Sequence, residues 1–433
     1  MLITFKVSNY RSFRDEAVLS MAASGLKEYK ACLIPYGSKK VIPAAAIYGK
    51  NGSGKSNLLR AFWLGVQFVR NAQRTQHEKA SIPVQPFSLN DFSQNEPTSF
   101  EYTYMQDGIK YIYGFAATRA KIVLEYLYHS PKGQKAMIFE RKESDFFFPT
   151  DPEKRRKDLI SEAVASNQLF FSVSCTMNYQ PCIAAMKWFR ESVLFSRDYT
   201  DIPNQIIEHA EDSGMLKAII SAAQKADLGI QDMKFEISNK ELSKHDALPD
   251  NMPDDVKYAL QNLMKALSSA PNEAELKLRV SELKATSMHY GVSKSGDIEY
   301  YALDLADESD GTKVLMALAP AIERTLSNGG ILIIDEIEKE MHPLLVEYIV
   351  ARYQSKNSNK TGAQIIFTTH DVELLNMEVL RRDQIYFVDK DKKSGASDLY
   401  CITEFSPHPD ENIRKGYLVG KYGATPILET EEV

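Results

Sequence analysis

The feature that most constrains this chain is the run Gly49-Lys50-Asn51-Gly52-Ser53-Gly54-Lys55-Ser56, which matches G-x-x-x-x-G-K-S. An apolar segment, 42–48, leads into it, and helical spacing follows from Ser56 to about Val69. The sequence therefore predicts a strand, a glycine-rich loop and a helix in succession. In that setting the backbone N–H groups of the loop and the helix N-terminus converge on one point and make an anion site. Lys55 adds a positive charge for outer phosphate oxygens, and the Ser56 hydroxyl is a hard oxygen suited to Mg²⁺. A chance glycine-rich turn makes no demand for a flanking strand and helix, and this one has both.

A second constraint is Ile331-Leu332-Ile333-Ile334-Asp335-Glu336, four apolar residues ending in two acids. This describes a buried strand whose carboxyl end delivers Asp335 as a metal-holding carboxylate and Glu336 as a group that orients an attacking water, the division of labour that phosphoryl transfer asks for. His370 follows another apolar strand, Ile365-Ile366-Phe367-Thr368-Thr369, at the edge where open α/β sheets bind ligands. Standing alone it reads as an ordinary loop histidine; in company with the other two motifs it is a candidate to reach a terminal phosphate. Ser309-Asp310-Gly311-Thr312 precedes an apolar helix and offers a second hydroxyl-and-glycine anion site, or simply an N-cap.

With 433 residues, 44% of them hydrophobic, the chain has ample material for one large or two to three smaller cores. Its four cysteines, Cys32, Cys175, Cys182 and Cys401, show no CxxC or metal-ligand spacing and read as thiols of a reducing compartment, so a cytoplasmic protein is expected. The first residues alternate like a strand and lack the sections of a secretory signal. The apolar runs are too short to cross a bilayer, so no membrane role is expected of this chain by itself. The formal charge of −6 argues against a uniformly basic coat, though Lys154-Arg155-Arg156-Lys157 is a local cluster; net charge neither supports nor excludes nucleic acid.

Along the chain, strand patterns occupy the beginning, and 99–104 and 110–117 around Gln106-Asp107-Gly108 read as a hairpin with a tight turn. From 149 to 283 the pattern turns helical, as in 206–225 and 254–268, broken by Pro-rich loops such as 248–253. Strand patterns return at 285–290 and 298–305, and the final third alternates strand and helix, which implies a parallel sheet covered by helices. The expected division is an N-terminal lobe over 1–148, a mainly helical insert over 149–283 and a C-terminal lobe over 284–433. Phe146-Phe147-Phe148 is read as core rather than an exposed docking patch.

Phosphate loop, S-x-G before a helix, apolar-Asp-Glu and Thr-Thr-His, in this order, resemble the ABC-type ATPase heads of the SMC and RecF group. More narrowly, Asn9-Tyr10-Arg11-Ser12-Phe13, Tyr48 through Asn57, Glu308 through Thr312, Asp335-Glu336 through His342-Pro343, and Tyr417 through Pro426 resemble AAA family 15, which includes abortive-infection and antiphage ATPases, among them partners of RloB-type proteins. The resemblance implies an α/β fold: an ABC-type head of mixed sheets covered by helices, plus the inserted region. It implies ATP and Mg²⁺ as cofactors, with Gly49 to Asn57 on the nucleotide and Ser56 and Asp335 on the metal. It implies a dimer in which Ser309 and Gly311 of one copy close on the γ-phosphate held by Lys55 of the other, with Glu336 and His370 completing the catalytic set. Arg11 and Ser12 become candidate nucleotide contacts, and Gln85 becomes either a metal-sensing glutamine or part of a strand-edge packing segment. Ser309-Asp310-Gly311-Thr312 departs from the full Leu-Ser-Gly-Gly-Gln signature of transporter heads.

Three uses of such an ATPase are weighed. The first is a sensor or scaffold of an antiphage system that controls a separate effector such as a nuclease. The second is a RecF-like DNA clamp, which predicts a basic cleft that this acidic chain shows only in short clusters. The third, a transporter subunit, is disfavoured by the imperfect signature. Asp389-Lys390-Asp391 mimics a metal-binding Asp-x-Asp element, but 384–388 and 398–403 read as a hairpin whose charged turn these residues begin, so a nuclease within this chain is not expected.

Overall fold

The computed structural model describes residues 1–71, 80–149, 153–196, 206–207, 212–226, 229–242, 258, 260, 262, 278–375, 377–408 and 410–425. They belong to two compact units, Met1–Asp198 with Ala321–Val433, and Tyr199–Pro320. In chain order the first unit begins with β1 (Leu2–Ser8), β2 (Ala17–Ser20), β3 (Ile34–Tyr36), β4 (Lys39–Val41), β5 (Ala44–Tyr48) and α1 (Lys55–Asn71). It continues through β6 (Thr98–Gln106), β7 (Ile109–Ala117), β8 (Ile122–Ser130), β9 (Ala136–Lys142) and β10 (Asp145–Phe147), then α2 (Lys154–Ala163), α3 (Phe170–Thr176), α4 (Gln180–Glu191) and β11 (Val193–Ser196). The second unit holds α5 (Ser213–Ala226), β12 (Ile230–Leu242), β13 (Leu278–Val292), β14 (Ile298–Asp304) and the start of α6 (Asp310–Asn328). The chain then adds β15 (Ile331–Ile334), α7 (Pro343–Gln354), β16 (Gln364–Thr368), β17 (Ile385–Lys390), β18 (Ser397–Cys401) and α8 (Ile413–Leu418) to the first unit.

Two sheets organise the first unit, which makes it the mixed α/β fold expected from the sequence. One is antiparallel, in the order β10-β9-β8-β7-β6-β1-β2. Its β6–β7 hairpin turns at Asp107 and Gly108, with φ of 49° and 77°, as the Asp-Gly pair predicts for a left-handed two-residue turn. The other has the order β11-β15-β16-β5-β17-β18, parallel except for the edge strand β18. Strands β5, β15 and β16 are buried throughout, because a parallel sheet covered on both faces needs continuous apolar runs rather than alternation.

Helix α1 buries Leu58, Leu59, Phe62, Val66 and Val69 along one stripe. Phe62 meets Phe5 at 4.8 Å and Tyr102 at 5.3 Å between ring centroids, which fastens the helix to the antiparallel sheet. The same core takes in α3 and α4: Trp188 stacks on Tyr104 at 4.4 Å, and Phe171 lies 4.4 Å from Tyr113. Glu125, wholly buried, accepts the backbone N–H groups of Phe170 and Phe171 at 2.7 and 2.9 Å, so a strand residue caps α3. Phe146 and Phe148 pack against Phe170, whereas Phe147 between them is 48% exposed.

The stretch 149–283 does not behave as one mainly helical insert. Residues 154–196 supply helices and strand β11 to the first unit, because their large aromatic side chains complete its core. Residues 230–242 form a strand, and β13 and β14, expected as part of the C-terminal lobe, join it in a separate antiparallel sheet of order β12-β13-β14. In the second unit Ile219 and Ala223 of α5 pack with Ile230, Met233, Met316 and Ala317. The segments 248–253 and 254–268 lie outside the described residues, apart from three isolated positions. Among the described residues no helix is long and apolar enough to cross a membrane.

Candidate functional site

Strand β5 lies between β16 and β17, and at its carboxyl end the chain enters the glycine-rich loop. Strand β16 ends at Thr368, and β15 on its far side ends at Ile334 and delivers Asp335, so three consecutive strands present their termini at one edge of the sheet. The Ser56 hydroxyl donates to Asp335 Oδ1 at 3.0 Å, and the Thr368 hydroxyl donates to the same oxygen at 2.7 Å. Thr368 Oγ1 also accepts the backbone N–H of Glu336 at 2.7 Å. Glu336 itself sits at φ 54°, a left-handed conformation that disfavours a residue with a Cβ by about 1 kcal/mol. The Thr368 bond holds the turn there, and the Glu336 side chain remains exposed.

Lys55, 6% exposed, donates through Nζ to the Gly49 carbonyl at 2.7 Å and to His370 Nε2 at 2.9 Å. An ammonium group only donates, so His370 accepts and is the neutral tautomer with its proton on Nδ1. Burial lowers the Lys55 pKa to about 8, against the opposing pull of Glu338, Glu336 and Asp335. Burial and then the Lys55 charge hold His370 below the usual imidazole range. The His370 backbone N–H donates to Glu338 Oε1 at 2.6 Å, whose other oxygen, Oε2, is buried and has no hydrogen-bond partner among the described residues.

The loop is braced from distant parts of the sequence. Gly54 has φ 117°, and a Cβ there would lie 2.6 Å from both Ser12 Oγ and Ser397 Oγ, so no other residue fits. Ser397 Oγ donates to the Ser53 carbonyl, and its backbone N–H donates to the Ser12 carbonyl at 2.7 Å. Asn57 Nδ2 donates to Ser12 Oγ at 2.9 Å, while Arg11 reaches Asn57 Oδ1 at 3.3 Å and Gln85 Oε1 at 2.7 Å. Gln85 is thus tied to Arg11, and none of its hydrogen bonds among the described residues goes to Ser56 or Asp335. Lys50 pairs with Asp389 at 2.7 Å, which gives Asp389 a partner in the loop and leaves Asp391 in its turn, bonded to Ser394. Beside the loop is a cavity of about 890 Å³ bordered by Gly49, Lys50, Asn51, Gly52, His370 and Lys390 among others. That is room for a nucleotide-sized ligand.

The donor set suits a small hard cation. Ser56 Oγ and Asp335 Oδ1 bring two oxygens together, as Mg²⁺ demands when phosphate and water supply the rest of its shell. Among the described residues no group of three or more His, Cys, Asp or Glu side chains is arranged to hold a metal by itself. In the second unit Ser309 Oγ accepts the Thr312 backbone N–H at 3.2 Å and shares a hydrogen bond with Thr312 Oγ1 at 2.8 Å, so Ser309 caps α6 while staying exposed, with Gly311 in the first turn. Sequence reasoning named Thr368 only as part of a motif, read Asp389 only as the start of a charged hairpin turn, and passed over Glu338 and Ser397. For Thr368 and Glu338 the signal was proximity to motif residues; for Ser397 there was none.

The sequence matches the family model described as AAA domain, putative AbiEii toxin, type IV TA system over residues 44–376, a span that includes the glycine-rich loop, Ser309, Asp335, Glu336 and His370. In structure the chain is similar to an SMC head bound to the C-winged helix domain of ScpA, at 14% identity over 92% of this chain and 97% of that chain, TM-score 0.40. It is similar to the SMC head domain from Thermotoga maritima at 12% identity over 92% and 98%, TM-score 0.37. It is also similar to the recombination mediator protein RecF-ATP of the RecFOR pathway at 14% identity over 92% and 97%, TM-score 0.35. No protein of curated function matches the sequence.

Proposed function

This chain belongs to the AAA-domain family described as putative AbiEii toxin, type IV TA system, and from that premise we propose that it binds and hydrolyses ATP as an ABC-type ATPase. The observation that carries the reading is the meeting of Ser56, Asp335 and Thr368 on one carboxylate oxygen beside Lys55 and His370. The loop N–H groups and Lys55 bind the phosphates, and Ser56 with Asp335 would hold Mg²⁺. When bound, that cation neutralises charge on the phosphate oxygens. Glu336 orients the attacking water, and His370, neutral and already bonded to Lys55, is placed to meet the γ-phosphate. Arg11 and Ser12 act through Asn57 and Gly54 on the shape of the loop. Gln85 serves by fixing Arg11, a positioning role that its bond to Arg11 favours over direct contact with the metal.

Lys55 gives this reading a pH signature. Its pKa near 8 in the nucleotide-free protein rises when phosphates arrive, so binding above about pH 8 must take up a proton. ATP affinity is expected to be level below neutral pH and to weaken by up to roughly tenfold per pH unit above the Lys55 pKa. Titration calorimetry in buffers of different ionisation enthalpy reads the uptake directly; constant affinity and no uptake up to pH 9.5 would remove Lys55 from the phosphates.

Hydrolysis, in this reading, needs two copies, with Ser309 and Gly311 of one completing the site at Lys55 of the other. Ser309→Arg is therefore expected to bind ATP with parental affinity and to hydrolyse it at least ~100-fold more slowly, as loss of a group that acts only in the closed state would. Normal hydrolysis by Ser309→Arg would end the trans reading. The cellular role we infer is the sensor or scaffold ATPase of an abortive-infection type of antiphage system that controls a separate effector, supported by the family's toxin description. Native mass spectrometry of Glu336→Gln protein, co-expressed with its neighbouring genes and purified in ATP and Mg²⁺, tests it. A stoichiometric protein companion supports the effector reading; a dimer carrying nucleic acid instead replaces it with a RecF-like clamp.

A further inference from the structure

Glu308 stands immediately before Ser309, and the two are opposites in their surroundings: Ser309 is exposed, and Glu308 is only 7% exposed. A carboxylate at that depth needs several donors to be tolerated. Two of its donors come from one strand. The Ser287 hydroxyl donates to Glu308 Oε1, and His289 Nε2 lies 2.8 Å from the same oxygen. A carboxylate oxygen accepts only, so the ring nitrogen carries the proton. Ser287 and His289 are two residues apart on β13 and so share a face of the strand. A nucleophilic triad is excluded by the same geometry, since the Ser287 hydroxyl is wholly buried and points its proton at the acid.

We infer that Glu308 is a positioning residue for the signature turn. By clasping Ser287 and His289 it fixes the backbone at 308–309, and with it the exposed Ser309 hydroxyl and the start of α6. The sheet of β12, β13 and β14 thereby sets the geometry of Ser309, which explains why a buried acid directly precedes an exposed serine. The inference rests on the reading that Ser309 completes the ATP site of a second copy. It assigns the second unit a definite part in hydrolysis.

The test uses the full chain, with ATP affinity measured by a fluorescent ATP analogue and hydrolysis by phosphate release. Glu308→Met keeps the volume but removes the acceptor, and is expected to lower kcat ~10-fold or more while the affinity stays within ~2-fold. Glu308→Gln keeps an acceptor oxygen for both donors and is expected to retain kcat within ~3-fold. His289→Leu removes one of the two bonds and is expected to lose less than Glu308→Met, in the same parameter; it serves should Glu308→Met fail to fold. The clasp is overturned by Glu308→Met or His289→Leu hydrolysing at the parental rate, by Glu308→Gln falling as far as Glu308→Met, or by affinity falling in step with kcat. Ser309→Arg separates the two failures. If it hydrolyses normally, the trans-signature reading itself is wrong; if it is inactive while Glu308→Met and His289→Leu are active, only the clasp is wrong.

Discussion

Glu336→Gln is expected to bind ATP as the parent does, to hydrolyse it ~100- to 10,000-fold more slowly, and to accumulate as a dimer in ATP and Mg²⁺. The substitution is nearly isosteric, and the left-handed turn it occupies is held through the Glu336 backbone N–H on Thr368 rather than through its side chain. The Asp335 contacts to Ser56 and Thr368 are untouched. What is lost is the negative charge that orients and polarises water, which acts in the transition state and not in the ground state, so kcat falls without a change in affinity. Phosphate release together with size-exclusion light scattering, with and without ATP, measures both parts. Unchanged steady-state hydrolysis would strip Glu336 of its role. Slow hydrolysis without dimer would keep the role and reject the composite site.

The residues on which this prediction depends were legible because their signals are local. A G-x-x-x-x-G-K-S run between an apolar strand and a helix, or four apolar residues ending in Asp335-Glu336, carries its structural context within a dozen or so positions. What holds those residues in place was not legible. Ser12, Ser397 and Asp389 reach the loop from both ends of the chain, and a serine or a charged hairpin turn gives no sign of its distant partner. Aromatic content decided the fate of 154–196: Phe170, Phe171, Trp188 and Phe189 are too large and apolar to leave the core of the first unit, and helical pattern alone could not say which core they fill. Strand β12 carries a local signal, Met233, Phe235 and Ile237 alternating with polar residues, but the reading of 149–283 as mainly helical passed over it. The Glu308 clasp joins positions that a sequence separates by a whole strand and turn.

At Lys55 function and stability are expected to pull against each other, and Lys55→Met exposes this by removing the charge while keeping the aliphatic stem. ATP binding is expected to weaken roughly 100-fold, the scale of losing charge-assisted hydrogen bonds to phosphate in a buried site. The nucleotide-free protein is expected to move the other way and melt at a higher temperature at pH 7. In that state the ammonium rests on the Gly49 carbonyl and a neutral His370, with no carboxylate among its hydrogen-bond partners in the described residues, and burial has lowered its pKa from 10.5 to about 8. A base whose pKa is lower in the folded state binds its proton more weakly there, so its charge opposes folding fully below about pH 8 and ceases to do so as pH approaches 10.5. The stability gained by Lys55→Met should therefore shrink as pH rises through that window. ATP works against that order, because ligand at concentration c stabilises each protein by RT ln(1 + c/Kd), which a roughly 100-fold weaker Kd makes smaller in the variant by up to about 2.7 kcal/mol. Thermal melts of both proteins at pH 7 and pH 10, with and without ATP and Mg²⁺, contain the whole argument. A variant less stable than the parent without nucleotide would mean that Lys55 braces the loop rather than straining it. An ATP-induced shift preserved in the variant would mean that the phosphates are held elsewhere.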